Sequence, residues 1–125
     1  MNIQQLIDIA NGKLLTPNVD LNRDIKGGCG ADLMSDVLAS IQPEAVLLTG
    51  LCNPQVVRTA MMADVAAIVI VRGKTPPLET IKLANLENVP LISTPFGMFE
   101  LCGRLFQSGL TSLESPVSPE DCQCE

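Results

Sequence analysis

Residues 45–72 decide the fold of this chain, and their sequence is AVLLTGLCNPQVVRTAMMADVAAIVIVR. The two apolar runs in this stretch, 45–48 and 66–71, lack the polar alternation of a sheet with one solvated face. Strands of this kind are buried on both faces, as in a parallel sheet covered by helices. Between the runs, Asn53 and Pro54 are predicted as the N-cap and the first residue of a helix. The stretch therefore predicts a strand–helix–strand unit with a right-handed crossover.

The alternation of strand and helix continues towards the C-terminus. Pro76–Pro77 open a predicted helix over 78–88, and a third apolar strand follows at 89–92. Thr94–Pro95 are then predicted as the cap and first turn of a helix that covers 98–107. The predicted fold class is therefore α/β, a single domain with a mostly parallel central sheet and flanking helices.

The N-terminal part is less regular. It contains a short helical stripe at 3–10 and two extended candidates at 13–15 and 19–21. Residues 24–30 are predicted to form a glycine-rich loop, and Asp32 after it is predicted to cap a helix. The apolar residues at helical spacing behind this cap are Leu33, Val37, Leu38 and Ile41.

Charge divides the chain into two parts. Residues 1–111 hold ten acids and eight bases, whereas residues 112–125 add four acids and no base. We predict a near-neutral domain over 1–111 and a flexible acidic tail over 112–125. No concentration of Lys and Arg favours nucleic acid or a membrane surface as a partner. The longest apolar run, 65–71, is far shorter than the roughly 20 residues that cross a bilayer, and no signal peptide is evident, which predicts a cytosolic protein.

The residue types that are absent narrow the chemistry. The chain contains no His, Tyr or Trp. It therefore lacks the commonest general base, the commonest metal ligand and every Ser–His or Cys–His nucleophile pair. We expect a protein that is not an enzyme and carries no cofactor. A small phosphotransferase that depends on Asp24 or Arg72 is the remaining enzymatic alternative.

Polar residues follow each of the predicted parallel strands. Because ligands on such sheets gather at the carboxyl ends of the strands, we expect a binding site at this edge, the strand-end rim. The candidate ligand-binding residues at the rim are Thr49, Asn53, Arg72, Gly73 and Thr94. Arg72 supplies the charge for a phosphate or carboxylate, and the helix starts at Asn53 and Thr94 supply positive dipole ends. The alternative is that Asn53 and Thr94 are only caps and Arg72 only a solvated loop residue.

Gly27 and Gly28 are further candidates in the predicted glycine-rich loop. Free backbone N–H groups in such a loop, placed before a helix, can bind an anion. The alternative is a tight turn that needs positive φ angles.

The five cysteines are expected to be mostly free thiols in the cytosol. Cys122 and Cys124 are weak candidates for a metal or redox site, which would need further ligands from the other cysteines or from a second chain. The alternative is a pair of incidental thiols in a flexible tail. Cys52 precedes a helix N-terminus, where a thiol pKa tends to fall, and Cys102 is predicted as a core residue.

Surplus apolar residues suggest a partner surface. Met61–Met62 and the alanine-rich segment 63–67 exceed what one small core needs, and the mean hydropathy is +0.30. We therefore predict a homodimer.

Several short segments, in this order, are shared with a known family. They are Asp24-Ile-Lys-Gly-Gly, Asp32-Leu-Met-Ser-Asp-Val-Leu-Ala, Asn53–Pro54, Ala66-Ala-Ile-Val-Ile, Arg72-Gly, Pro90-Leu-Ile-Ser-Thr-Pro and Phe99-Glu-Leu-Cys-Gly-Arg-Leu. Over roughly residues 20–110 the chain resembles the DRTGG domain family. It departs from the pentapeptide that names the family at Ile25 and Lys26.

The resemblance implies a fold similar to the N-terminal domains of HPr kinase/phosphorylase and of Mur ligases. DRTGG domains occur inside phosphotransacetylases and between CBS domains of regulated pyrophosphatases, where they look like regulatory and dimerising parts. Stand-alone copies occur in anaerobic bacteria, some beside hydrogenase genes. The family offers no catalytic residues to carry over, and the chain has no Gly-x-x-x-x-Gly-Lys-Ser/Thr loop for kinase activity.

Two functions follow from the residues and the resemblance together. The first is a homodimeric regulatory or interaction module that binds a small anionic or nucleotide-like metabolite, or a partner protein, at the strand-end rim. The second is a cysteine-dependent metal or redox accessory protein of an anaerobic enzyme such as a hydrogenase.

Overall fold

The computed structural model describes residues 1–114 and 116 of the chain. The helices and strands of this part are α1 (Ile3–Ile9), β1 (Lys13–Leu14), β2 (Gly27–Gly30), α2 (Met34–Ser40), β3 (Ala45–Thr49), α3 (Pro54–Met62), β4 (Ala67–Ile70), α4 (Leu78–Leu86), β5 (Leu91–Ser93) and α5 (Met98–Gln107). No helix in this part of the chain is both long and apolar enough to cross a membrane.

One mixed sheet forms the centre of the domain. Its strand order is β1-β5-β4-β3-β2, and only β1 is antiparallel to its neighbour. The three inner strands β3, β4 and β5 are the apolar runs that the sequence predicts, and nearly all of their residues are buried. The α/β prediction with a mostly parallel sheet is therefore confirmed.

Helices cover both faces of the sheet, because alternate residues of the inner strands point to opposite sides. Val46, Leu48 and Val69 pack with α1 and α5 in one hydrophobic cluster. Leu47 and Ile68 pack with α2, α3 and α4 in the other. The result is a three-layer sandwich in which the loops at both ends of the strands are accessible.

Four of the five helices end in the same way. The second residue after the helix, directly behind the C-cap, adopts a left-handed conformation, and the next N–H bonds a carbonyl five residues back, which satisfies the last turn. The left-handed residues are Asn11, Asp64, Asn88 and Gly109. Asn11 and Gly109 end helices where the sequence predicts.

The predicted glycine-rich loop at 24–30 is wrong. Residues 27–30 form the edge strand β2, which pairs with β3 along its whole length. A side chain at Gly27 would lie 2.5 Å from Leu113 Cβ and 2.8 Å from the Thr111 carbonyl oxygen. Glycine is needed there because a later segment of the chain covers the edge of the sheet.

Two predicted helix caps are also wrong. The N-cap of α2 is Leu33, which is 60% exposed, and Asp32 stands outside the helix. Helix α5 covers 98–107 as predicted, but its N-cap is Gly97, three residues after the predicted cap at Thr94. Both polar side chains bond distant segments instead of the nearest helix.

Two smaller predictions from the N-terminal part fail as well. Residues 19–21 contain no strand and lie in turns and bends. Leu38, predicted to face the core, is 47% exposed, whereas Val37 beside it is fully buried.

Residues 112–114 belong to the folded part rather than to the predicted tail. Ser112 bridges to Gly28, and Glu114 bridges to Ile41. The N–H of Leu113 donates to the Gly28 carbonyl at 2.9 Å. The rest of the predicted acidic tail, apart from Pro116, lies outside the described residues.

Candidate functional site

The strand-end rim is tied together by side chains that follow β2 and β3. Asp32, two residues beyond β2, accepts a hydrogen bond from the Thr49 hydroxyl at 3.1 Å and another from the Gly50 N–H at 2.8 Å. The Thr49 oxygen in turn accepts the Leu51 N–H at 3.2 Å. The carboxylate therefore fixes the end of β3 next to the end of β2.

The loop after β4 carries two cationic residues across the rim. Arg72 and Gly73 both adopt left-handed conformations, with φ of 66° and 64°. Their N–H groups donate to the carbonyls of Phe96 and Thr94, each at 2.7 Å. These bonds turn the loop sharply and hold its backbone against the end of β5, while the side chain of Arg72 stays exposed.

Lys74 connects the same loop to β3. Its ammonium group donates to the Gly50 carbonyl at 2.7 Å, and its own carbonyl accepts the Ser93 hydroxyl at 3.0 Å. A side chain at Gly50 would stand 3.4 Å from Lys74 Nζ and 3.6 Å from Asp32 Oδ1. Charges of both signs therefore flank one glycine at the centre of the rim.

The predicted rim residues fall into two groups. Thr49 and Thr94 are fully buried, and their hydroxyls are engaged, that of Thr94 with the Ala10 carbonyl at 2.6 Å. Arg72, Gly73 and Asn53 are exposed. Thr49 and Thr94 are therefore part of the buried support of the rim, whereas Asn53, Arg72 and Gly73 are exposed to solvent.

Asn53 is the N-cap of α3, with Pro54 in the first turn, as the sequence predicts. Its side chain makes no capping hydrogen bond. The amide of Asn53 and the positive end of this nine-residue helix are therefore open at the rim.

Gly27 and Gly28 lie at the other end of the sheet. Gly27 pairs with Ala45, the first residue of β3, and the Gly28 N–H donates to the Thr111 carbonyl at 2.8 Å. The rim and these glycines do not form one site. A ligand-binding role for Gly27 and Gly28 stays a prediction.

The cations at that other end are already paired. The ammonium group of Lys26 forms an ion pair with the Glu44 carboxylate at 2.7 Å. The hydrogen bond to Glu44, and then the negative charge of Glu44, raise the pKa of Lys26. The amino group of Met1 lies 3.5 Å from Asp24. A cleft of about 430 Å³ opens beside Met1 and Lys26, but carboxylates already hold these two charges.

The cysteines of the described region are protonated thiols. Burial, and then the hydrogen bond to Glu114 at 3.1 Å, raise the pKa of Cys29 to about 12. Burial also raises the pKa of Cys52, so the predicted lowering at the α3 N-terminus is wrong; nearby Lys74 opposes the rise only partly. Cys102 is half-buried at a cleft rather than in the core, and burial raises its pKa too.

The described residues contain no group of three or more His, Cys, Asp or Glu side chains that could hold a metal ion. Cys122 and Cys124 lie outside the described residues. The metal or redox interpretation of that pair therefore stays a prediction.

Sequence reasoning missed two rim residues, Asp32 and Lys74. Asp32 directly follows the strand that was misread as a loop, so its place at a strand end was hidden. Lys74 stands two residues after Arg72 and could have been found as a second cation in the same loop.

Comparisons with known proteins identify the domain type. A family model described as the DRTGG domain matches residues 5–108. A crystal structure of the CBS and DRTGG domains of the regulatory region of Clostridium perfringens pyrophosphatase, complexed with its activator diadenosine tetraphosphate, is similar in fold, with a TM-score of 0.71 at 19% identity. The alignment covers 86% of this chain but only 46% of that one. Among curated proteins, no match was found.

Proposed function

Because the chain belongs to the DRTGG domain family, we propose that it is a non-catalytic, homodimeric regulatory module that binds a small anionic or nucleotide-like ligand at the strand-end rim. The observation that carries the proposal is the loop 72–74. It presents the Arg72 guanidinium to solvent at the carboxyl ends of parallel strands, where α/β sheets bind ligands.

Arg72 differs from the cations at the other end of the sheet. Among the described residues it forms no ion pair, whereas Lys26 and the amino group of Met1 each have a carboxylate partner. A guanidinium matches phosphate and carboxylate groups with two parallel hydrogen bonds. Arg72 is therefore the proposed charge contact for the ligand.

The other rim residues have separate proposed roles. Asn53 offers its side-chain amide and the open first turn of α3 to the anion. Gly73 has open space where a side chain would be, so a ligand can approach its backbone. Thr49 and Thr94 stabilise the rim through the hydrogen bonds of their buried hydroxyls and do not contact the ligand.

The position of Asp32 at the rim favours a nucleotide-like ligand over a simple anion. The Asp32 carboxylate would repel an isolated phosphate, but it can accept hydrogen bonds from sugar hydroxyls. A nucleotide carries both groups. The similar pyrophosphatase region was crystallised with diadenosine tetraphosphate, which makes adenine nucleotides the first probes for this chain.

Isothermal titration calorimetry with AMP, ADP, ATP, diadenosine tetraphosphate and pyrophosphate tests the proposal. We expect one of these ligands to bind, and Arg72→Ala to weaken its affinity by about tenfold or more, the loss of one charge-assisted contact. Lys82→Ala is the matched control, because it removes an exposed cation that lies on α4 rather than in the loop 72–74. Binding that Arg72→Ala leaves unchanged, or no binding by any of the probes, would count against a nucleotide site at the rim.

The described residues give the cysteine-dependent alternative no specific support, since their thiols are protonated and form no metal cluster. Metal analysis of anaerobically purified protein, with Cys122→Ser/Cys124→Ser as the comparison, addresses that alternative directly.

A further inference from the structure

A cleft of about 430 Å³ lies between α1, the segment before β2 and the C-terminal end of α5. Residues from 1–9, 25–26 and 108–110 line it, and we refer to it as the α1–α5 cleft. Its volume falls within the range of about 300–1,000 Å³ that is usual for small-molecule sites. The cleft shares no residue with the strand-end rim, so a ligand there would occupy a second site.

The buried residues of the α1–α5 cleft are apolar. Ile25 is 2% exposed and Leu110 is 8% exposed, and both belong to the hydrophobic cluster that contains α1 and α5. Ile9 packs against the same cluster. Open space adjoins Gly109, where a side chain would meet nothing within 4 Å. The cleft therefore offers a preformed apolar surface on which an alkyl chain can lie.

The charged groups at the cleft leave one negative charge without a partner. Lys26 and the amino group of Met1 are each paired with a carboxylate. Asp8 forms no ion pair with any described residue, and its carboxylate accepts a hydrogen bond from the neutral Gln4 amide at 3.1 Å. The uncompensated charge of the cleft is therefore that of Asp8.

Helices α1 and α5 both end at the cleft and add to its negative potential. Asp8 stands in the last turn of α1, where a negative charge is unfavourable to the helix dipole, so the fold gives no reason for it. Ser108 is the C-cap of α5, and its carbonyl accepts no hydrogen bond from the described residues. Arg104, the base in the last turn of α5, pairs with Glu100 and stacks on the Phe96 ring.

We propose that the α1–α5 cleft binds a small organic cation, an alkylamine whose ammonium group pairs with Asp8 and whose alkyl chain lies on the apolar wall. An ammonium group carries three donors, which suit a carboxylate and free carbonyl oxygens. A cation is also favoured next to the C-terminal ends of helices. The cleft and the rim therefore select ligands of opposite charge.

An NMR titration of the full chain, labelled with ¹⁵N, tests this inference with n-pentylamine at pH 7, where the amine is charged. We expect the backbone amide signals of Ile9, Lys26 and Gly109 to shift, and those of Arg72 and Gly73 to stay in place. Affinity should rise from methylamine to propylamine to pentylamine by up to about fourfold per methylene, because the alkyl chain becomes buried. The matched probes 1-pentanol and pentanoate, which are neutral and anionic, should bind at least tenfold more weakly.

Two substitutions at Asp8 connect the binding to this carboxylate. Asp8→Asn should weaken pentylamine binding by about tenfold or more, the loss of one charge-assisted contact. Asp8→Lys should abolish it without loss of stability, since a base suits the last turn of a helix. Asp36→Asn is the matched control, because it neutralises an exposed helical carboxylate on α2, in the opposite layer, and its affinity should equal that of the wild type.

Three results would overturn the cation site. They are the absence of pentylamine shifts around the cleft, equal affinity for pentylamine and 1-pentanol, and pentylamine affinity that Asp8→Asn leaves unchanged. The outcome is separable from the proposed function, because nucleotide titration of the same sample reports on the rim. Arg72→Ala should leave pentylamine binding at the wild-type value even where it removes nucleotide binding.

Discussion

The two ends of the sheet contain similar residue types but use them differently. At the rim, buried hydroxyls and the Asp32 carboxylate hold the backbone, and the Arg72 guanidinium remains open. At the other end, Lys26 and the Met1 amino group are paired with carboxylates, and glycine backbone packs directly against the segment 111–113. The cations at the other end therefore stabilise the fold through ion pairs, whereas Arg72 at the rim is available to bind a ligand.

The largest effect on stability is expected at the close-packed end. Gly27→Val places a branched side chain within 2.5–2.8 Å of Leu113 and of the Thr111 carbonyl, so the covering segment must move. Overpacking of this severity costs about 3 kcal/mol of unfolding free energy. Urea denaturation measures it.

Gly28→Ala is the control for this prediction. Its new methyl group meets the flexible end of Leu110 at 3.3 Å rather than backbone. Equal losses in the two variants would mean that the covering segment is not tightly packed on β2.

A smaller loss of stability is expected at the rim. Thr94→Val keeps the shape of the side chain but removes the buried donor to the Ala10 carbonyl, 84 residues away. An unsatisfied buried carbonyl costs about 1–3 kcal/mol, and we expect about 2. Denaturation of the variant measures the loss, and Ser93→Ala, which removes a neighbouring exposed hydroxyl bond, should cost clearly less.

The smallest effect concerns alkaline pH at the close-packed end. The pKa of Cys29 is about 12 in the folded chain, compared with 9.0 for a free thiol. The unfolded chain therefore releases this proton first, and the stability from Cys29 is complete below pH 9 and is lost as the pH rises towards 12.

Cys29 is buried and its thiol donates to Glu114, so the direction of this pH dependence is the test. The loss of unfolding free energy between pH 8 and pH 10.5 should be smaller in Cys29→Ala than in the wild type. A variant with the same or a steeper loss would contradict the assignment.

The sequence alone predicts the centre of the fold well, because burial on both faces leaves a direct signal. Continuous apolar runs locate β3, β4 and β5, and their parallel arrangement correctly places Arg72 and Asn53 at one edge. The helices between them follow from proline and cap residues. These are local signals that need no knowledge of distant contacts.

The sequence fails where a distant partner decides the local structure. Gly27–Gly30 carries no side-chain pattern, and its strand exists because β3 and residues 111–113 pair with it. Thr94 has the appearance of a cap, but the Ala10 carbonyl competes successfully for its hydroxyl. Asp32 is likewise drawn away from α2 by the Gly50 N–H.

Both outer strands of the sheet depend on residues far away in sequence, and this affects how the domain folds during biosynthesis. Within the described residues, strand β1 pairs only with β5, about 80 residues later, and residues 111–113 cover the edge of β2. A nascent chain that stops before β5 leaves β1 without its partner, and one that stops before residue 111 leaves the edge of β2 uncovered. Exposed strand edges promote association between chains, and pairings across long sequence separation form slowly. We therefore expect this domain to close after synthesis of its last strand-covering residues, as one unit, rather than progressively while it leaves the ribosome.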